Sequence, residues 1–176
     1  RPDGERIVSG EVDWAVNSGA EAFVRLRDGR FLVIPESGGE GLIYPADPVT
    51  GAAPSTFTYT PSERGFGITD AKQLPDGRLM LIVRKVVYGL PPFDARIALA
   101  RVPEPDEPQI MKAMIALDLA TLVPRENYEG LALRERADGA VDVWLISDDN
   151  MSVMQRTLLA KLRFDPSAGE ALPHKQ

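Results

Sequence analysis

A chain of 176 residues with 44% apolar composition is long enough to bury one sizeable core, which excludes wholesale disorder and makes residues 1–176 a single expected region. A net charge of −6 argues against a surface built to hold nucleic acid or an anionic membrane, since both need clustered Lys and Arg. With no cysteine and one histidine, His174 in a polar tail, the chain lacks thiolate zinc sites, cysteine nucleophiles and the base of a Ser-His-Asp triad.

In chain order, runs of strand-forming residues occur at 11–16, 22–27, 30–35, 41–44, 56–60, 71–74, 78–85, 96–102, 111–119, 131–134, 141–147 and 158–164. Gly, Pro, Asp and Asn separate them, the pattern of sequential antiparallel strands. Twelve strands divide into three groups of four. Residues 45–54 and 103–108 read as proline-rich loops rather than linkers, because the strand rhythm continues on both sides. Residues 152–157 are expected to form a short helical turn. No run approaches the length of about 20 apolar residues that a membrane span requires, so no membrane insertion is expected. The chain begins at Arg1 without a signal-like segment, and an upstream portion is expected to have been removed.

Three stretches share an acidic residue, a short apolar segment, Asp-Gly and a strand-forming run. They begin at Glu21, Asp70 and Glu129, spaced 49 and 59 residues apart, with Asp-Gly at Asp28, Asp76 and Asp138. Each Asp-Gly falls between two strands, where glycine supplies the positive φ that a tight hairpin turn requires. Asp3-Gly4 is a fourth such pair. A repeat of this length is the signature of stacked β units such as propeller blades. The expected fold is therefore all-β, a β-propeller in which this chain forms about three four-stranded antiparallel blades. Propellers close with about four to eight blades, so the chain is expected to be half of a larger ring. The rest would be a missing N-terminal half, a second chain or a symmetry mate.

The C-terminal third reads Asn127-Tyr128-Glu129-Gly130-Leu131-Ala132, then Trp144-Leu145-Ile146-Ser147-Asp148-Asp149-Asn150, then Gln155-Arg156-Thr157-Leu158-Leu159. Together with Glu63-Arg64-Gly65, Thr69-Asp70-Ala71 and Leu74-Pro75-Asp76-Gly77-Arg78, these segments resemble the bacterial phytase-like family, known for an esterase-like activity of phytase. The resemblance covers most of residues 14–165 and corresponds to the family's second half. It implies half of a six-bladed propeller in a periplasmic or secreted setting. It also implies hydrolysis of a small-molecule ester or phosphate ester.

Equivalent positions on the innermost strands converge on a propeller's central channel. Three carboxylates meeting there repel unless neutralised, and a hard cation with oxygen ligands is the commonest remedy. Calcium held by Glu21, Asp70, Glu129 and Asn127 is the natural expectation. The alternative is that each carboxylate pairs with an arginine, such as Arg64, Arg84 or Arg156, or accepts main-chain N–H bonds. Glu129, Asp148 and Asp149 are the candidate catalytic residues, with Asp148 or Asp149 orienting water or supplying an oxygen ligand; the alternative for the acidic pair is an Asx turn that ends the strand. Arg64, Arg156, Asn150 and Tyr128 are the candidate substrate-binding residues. Lys85 and Lys161 are expected in ordinary salt bridges, and Trp14, Trp144 and Phe31 in the core. Ser147 and Thr69 have no histidine within reach to make either a nucleophile.

The leading function is thus a metal-dependent hydrolase in which a channel-bound cation activates water. A non-catalytic binding propeller is the alternative from another class. A lactone or sugar-ester hydrolase is a third.

Overall fold

The computed structural model describes residues 4–7, 12–14, 19–105 and 107–169. Twelve strands lie along them: β1 (Ala20–Arg25), β2 (Phe31–Pro35), β3 (Gly39–Tyr44), β4 (Ser55–Thr60), β5 (Gly67–Gln73), β6 (Leu79–Val86), β7 (Phe93–Ala100), β8 (Ile110–Lys112), β9 (Met114–Asp118), β10 (Tyr128–Glu135), β11 (Val141–Ser147) and β12 (Leu159–Phe164). The chain is all-β, with three sheets, none closed on itself. The first has the order β1-β2-β3-β4-β8, the second β5-β6-β7-β9 and the third β10-β11-β12.

The strand total matches the sequence reading, but the partition is five, four and three rather than three groups of four. The single run expected at 111–119 divides in two. Thr58 to Thr60 pair with β8 in parallel, the N–H of Ala113 donates to the Thr60 carbonyl at 3.0 Å, and β9 then pairs antiparallel with β7. Met111 and Ala113 are both buried, so their side chains anchor this segment while it passes from the edge of one sheet to the edge of the next. The strand expected at 11–16 falls largely outside the described residues, and residues 12–14 are not in a strand. Residues 151–154 make turns instead of the helical turn expected at 152–157.

The middle sheet explains the densest apolar run in the chain. Leu79, Leu81 and Val83 pack toward the first sheet with Leu32, Ile34, Phe57 and Tyr59, whereas Met80 and Ile82 pack toward the third sheet with Tyr128, Leu131, Val143 and Leu145. Successive side chains of a strand point to opposite faces, so a strand buried on both faces must be apolar at every position. Burial of each such side chain contributes about 1.5–3 kcal/mol. A third, smaller cluster covers the far face of the first sheet, where Trp14 and Phe31 pack on Val12, Val33, Leu42 and Tyr44.

The three Asp-Gly pairs are hairpin tips, as their spacing predicts. Gly29, Gly77 and Gly139 have φ of 93°, 90° and 80°. Asp28, Asp76 and Asp138 each accept the N–H two residues on, at 2.9, 2.9 and 3.2 Å. In the first two tips the following arginine folds back on its aspartate and then reaches onward. Arg30 contacts Glu104 at 3.2 Å, and Arg78 donates to the Pro166 carbonyl at 2.8 Å. Each tip is thereby fastened to a loop that follows a strand of the next sheet.

Candidate functional site

Strands β1, β5 and β10 lie side by side as the first strands of their sheets. The Thr69 hydroxyl donates to the Tyr128 carbonyl at 3.0 Å, and the Ile68 N–H donates to the Glu36 carbonyl at 2.9 Å. All three carry the same irregularity near the start, between Ala20 and Ala22, between Ile68 and Asp70, and between Tyr128 and Gly130. A bulge adds one residue opposite none and re-aims its side chain. The residues so re-aimed are Glu21, Thr69 and Glu129. The register therefore corrects the expected equivalence: Thr69, not Asp70, matches Glu21 and Glu129.

Asp70 is a bracket between sheets. One carboxylate oxygen accepts the N–H of Ala71 at 2.7 Å and the Lys72 ammonium at 2.6 Å; the other accepts the Leu131 N–H on β10 at 2.8 Å. Its side chain is 18% exposed. This is the main-chain pairing that stood as the alternative to a metal ligand.

Glu21 and Glu129 instead share a neighbourhood with Arg84 of β6 and with Glu36, which follows β2. Arg84 approaches Glu129 Oε1 at 3.3 Å, and its guanidinium lies over the Phe93 ring, 5.1 Å from the centroid. Asn127 donates from Nδ2 to the same Glu129 oxygen at 2.7 Å. Glu21 is exposed overall, yet its carboxyl is pushed above its ordinary range, first by partial desolvation and then by the charges of Glu36 and Glu129, against the opposing pull of Arg84. Gly67 makes room for Glu36, since a Cβ there would stand 3.0 Å from Glu36 Cγ. Two polar atoms remain open. Arg84 Nε and Asn127 Oδ1 are buried and have no hydrogen-bond partner among the described residues, and Asn127 is 0% exposed. Unpaired buried polar atoms cost about 1–3 kcal/mol each.

Three carboxylates and one guanidinium can hold and move a proton, and the guanidinium can stabilise charge that develops on a nearby oxygen. Among the described residues no three acidic or histidine side chains gather into a ligand set. Asp70 spends its acceptors on three donors, and Arg84 stands where a cation would balance Glu129.

The C-terminal motif is arranged differently from its sequence reading. Asp149 is an Asx turn, accepting the Met151 N–H at 2.9 Å, while Asn150, at φ 49°, donates to Gln155 Oε1 at 2.8 Å. The Asp148 N–H donates to the Asn127 carbonyl at 3.0 Å and its side chain is exposed, so it borders the cluster through its backbone. Arg156 does not turn toward the acidic pair; its Nε donates to buried Glu126 at 2.7 Å. Ser147 ties the chain together by donating to the Arg156 carbonyl at 2.7 Å and accepting the Leu158 N–H at 2.9 Å. Tyr128 is fully buried and donates to the Pro124 carbonyl at 2.9 Å, which makes it core. Arg64 is exposed and forms no ion pair among the described residues.

Sequence reasoning missed Glu36 and Glu126. Glu36 stands in Pro-Glu-Ser-Gly-Gly, which reads as an ordinary turn. Glu126 directly precedes the Asn-Tyr-Glu motif, and that adjacency was its only signal.

A family model for phytase-like proteins, described as esterase-like activity of phytase, matches residues 2–151. No curated protein and no solved structure matches the chain significantly.

Proposed function

The chain belongs to the phytase-like family, and on that premise we propose that it is an esterase-like hydrolase with its reaction centre among Glu21, Glu36, Glu129 and Arg84. The observation that carries this reading is the grouping of Glu21, Glu36 and Glu129 beside Arg84, in which partial burial and the two neighbouring carboxylates raise the carboxyl of the largely exposed Glu21. A carboxyl raised in this way is suited to general acid–base work. Glu21 takes the proton of an attacking water as the water oxygen bonds to the acyl carbon. The Arg84 guanidinium stabilises the negative charge that develops on the carbonyl oxygen. The bond to the leaving oxygen then breaks, and Glu21 returns the proton to it, giving an acid and an alcohol. Asn127 and Glu129 hold the guanidinium in place. A phosphate ester would use the same arginine for its anionic oxygens, and Arg64 and Arg156 would serve as outer contacts.

The three sheets are proposed as three blades of a six-bladed propeller, completed by further N-terminal sequence or a second chain and working in the periplasm or outside the cell. Burial of β6 on both faces and the shared bulge on the first strands support that arrangement.

Hydrolysis of p-nitrophenyl esters and p-nitrophenyl phosphate tests the reading. Glu21→Gln is expected to lower kcat by about 10²–10⁴-fold and to remove the acidic limb of the pH–rate profile. Arg84→Met should shift that limb to higher pH, because Arg84 holds the Glu21 carboxyl down. Full activity in both variants would refute the site.

Calcium is a second reading, favoured by the open Oδ1 of buried Asn127. It requires Arg84 to leave Glu129, so calcium affinity would rise in Arg84→Met. Calorimetric titration with calcium decides between the two, and an unchanged, absent calcium response in both proteins would leave acid–base catalysis without a cation. A non-catalytic binding role would appear as ligand affinity with no turnover on any ester.

A further inference from the structure

The carboxylate cluster sits at the bulged start of the inner strands. At the opposite end, beside the hairpin tips, lies a groove of about 620 Å3, within the range of about 300–1,000 Å3 typical of small-molecule sites. Its floor is apolar. Leu99 at the end of β7, Ile115 of β9 and Phe164 at the end of β12 line it, and all three are only partly buried against the core between the second and third sheets or its neighbour. Ile110 and Met114, on the segment that passes between sheets, extend the apolar wall while remaining 58% and 67% exposed.

The rim is basic. Arg78, Arg101, Lys112 and Arg163 all line the groove, in a chain whose net charge is −6. Two of these cations are already engaged, Arg78 with Asp76 at 2.6 Å and Arg163 with Asp138 at 3.1 Å. The other two, Arg101 and Lys112, form no hydrogen bond or ion pair among the described residues. Asp165, the acidic side chain in the lining, is held by the N–H of Ser167 at 3.0 Å and its hydroxyl at 2.7 Å.

We propose that this groove binds an anionic amphiphile, a carboxylate head on an unbranched apolar chain, with the head between Arg101 and Lys112 and the chain along Leu99, Ile115 and Phe164. Two uncommitted cations at one mouth match a single compact anion. The floor offers the chain an apolar surface that water otherwise covers, including side chains that are costly to leave exposed together. A purely polar anion would gain nothing from that floor, and a neutral chain would gain nothing from the rim.

Titration of the full chain with sodium decanoate, with acetate and decan-1-ol as the two half-probes, tests this. Decanoate is expected to bind saturably at one site, with acetate and decanol each at least about tenfold weaker. The double variant R101E/K112E should weaken decanoate by about tenfold or more, and its melting temperature should match the wild type because both side chains are exposed. Met114→Gln should weaken decanoate without altering its salt dependence. High NaCl should weaken decanoate binding to the unaltered protein. Absence of saturable decanoate binding, equal binding of acetate or decanol, or indifference to both charge reversal and salt would each overturn the proposal.

Discussion

Replacing Asp70 by alanine separates a structural bracket from a catalytic or metal-binding carboxylate. The variant leaves the Leu131 N–H, buried at the seam between the second and third sheets, without its acceptor at 2.8 Å. An unsatisfied buried donor costs about 1–3 kcal/mol. The Ala71 N–H loses its partner as well, whereas the Lys72 pair is partly exposed and adds only about 0–1 kcal/mol. The expected loss is therefore about 2–4 kcal/mol. For a chain of this size each kcal/mol moves the melting temperature by about 2–4 °C. Urea unfolding followed by tryptophan fluorescence should show a lower midpoint with an unchanged slope. Ester hydrolysis, measured well below the transition, should keep its kcat within a few-fold. Lost activity with unchanged stability would refute the bracket and return Asp70 to the reaction centre.

Three other outcomes are expected. Asp142 is held down to about 2 by hydrogen bonds from Arg134 first, and then from Lys161 and Arg136 against the opposing effect of burial. Its folded value lies below the ordinary 3.8, so it contributes stability above the ordinary value that disappears as pH falls through about 2; the urea midpoint of Asp142→Asn should lack that part of the acid decline. Glu126→Ala removes the buried partner of the Arg156 Nε and N–H, at 2.7 and 3.2 Å, and should lower unfolding free energy by about 1–3 kcal/mol, read by urea titration. Gly41→Ala puts a Cβ 2.4 Å from the buried Phe57 ring and should cost about 1–3 kcal/mol by overpacking, with no change in ester kinetics.

The hairpin tips were fully legible, because Asp-Gly between two apolar runs states both the turn and its position. The register of the inner strands was not. Glu21, Asp70 and Glu129 align as acidic residues, yet the bulge places Thr69 opposite the other two, and a one-residue offset inverts which face a side chain serves. Residues 111–119 read as one strand because Met111, Ile115 and Leu117 continue a single apolar pattern; only packing against two different sheets divides it. The arginine alternative was visible for Glu129 and Arg84, and the Asx alternative for Asp149. Tyr128 reads in sequence as a candidate substrate-binding residue, whereas its buried hydroxyl finds the Pro124 carbonyl four residues back, a contact that depends on how the preceding loop turns. Lys85 and Lys161 are in ordinary ion pairs, with Asp94 at 3.6 Å and Asp142 at 3.3 Å.

The segment that joins β8 to β9 also sets where the molecule can shear. Main-chain hydrogen bonds tie it to β4 on one side and β7 on the other, so sliding the first sheet past the second breaks backbone pairing. Among the described residues the third sheet has no such main-chain tie across its seam; packed side chains, Thr69, Asp70 and the Arg78 clasp hold it. The softer hinge therefore lies between the second and third sheets. Arg84 belongs to one and Glu129 to the other, so opening at this seam would lengthen the Arg84–Glu129 ion pair.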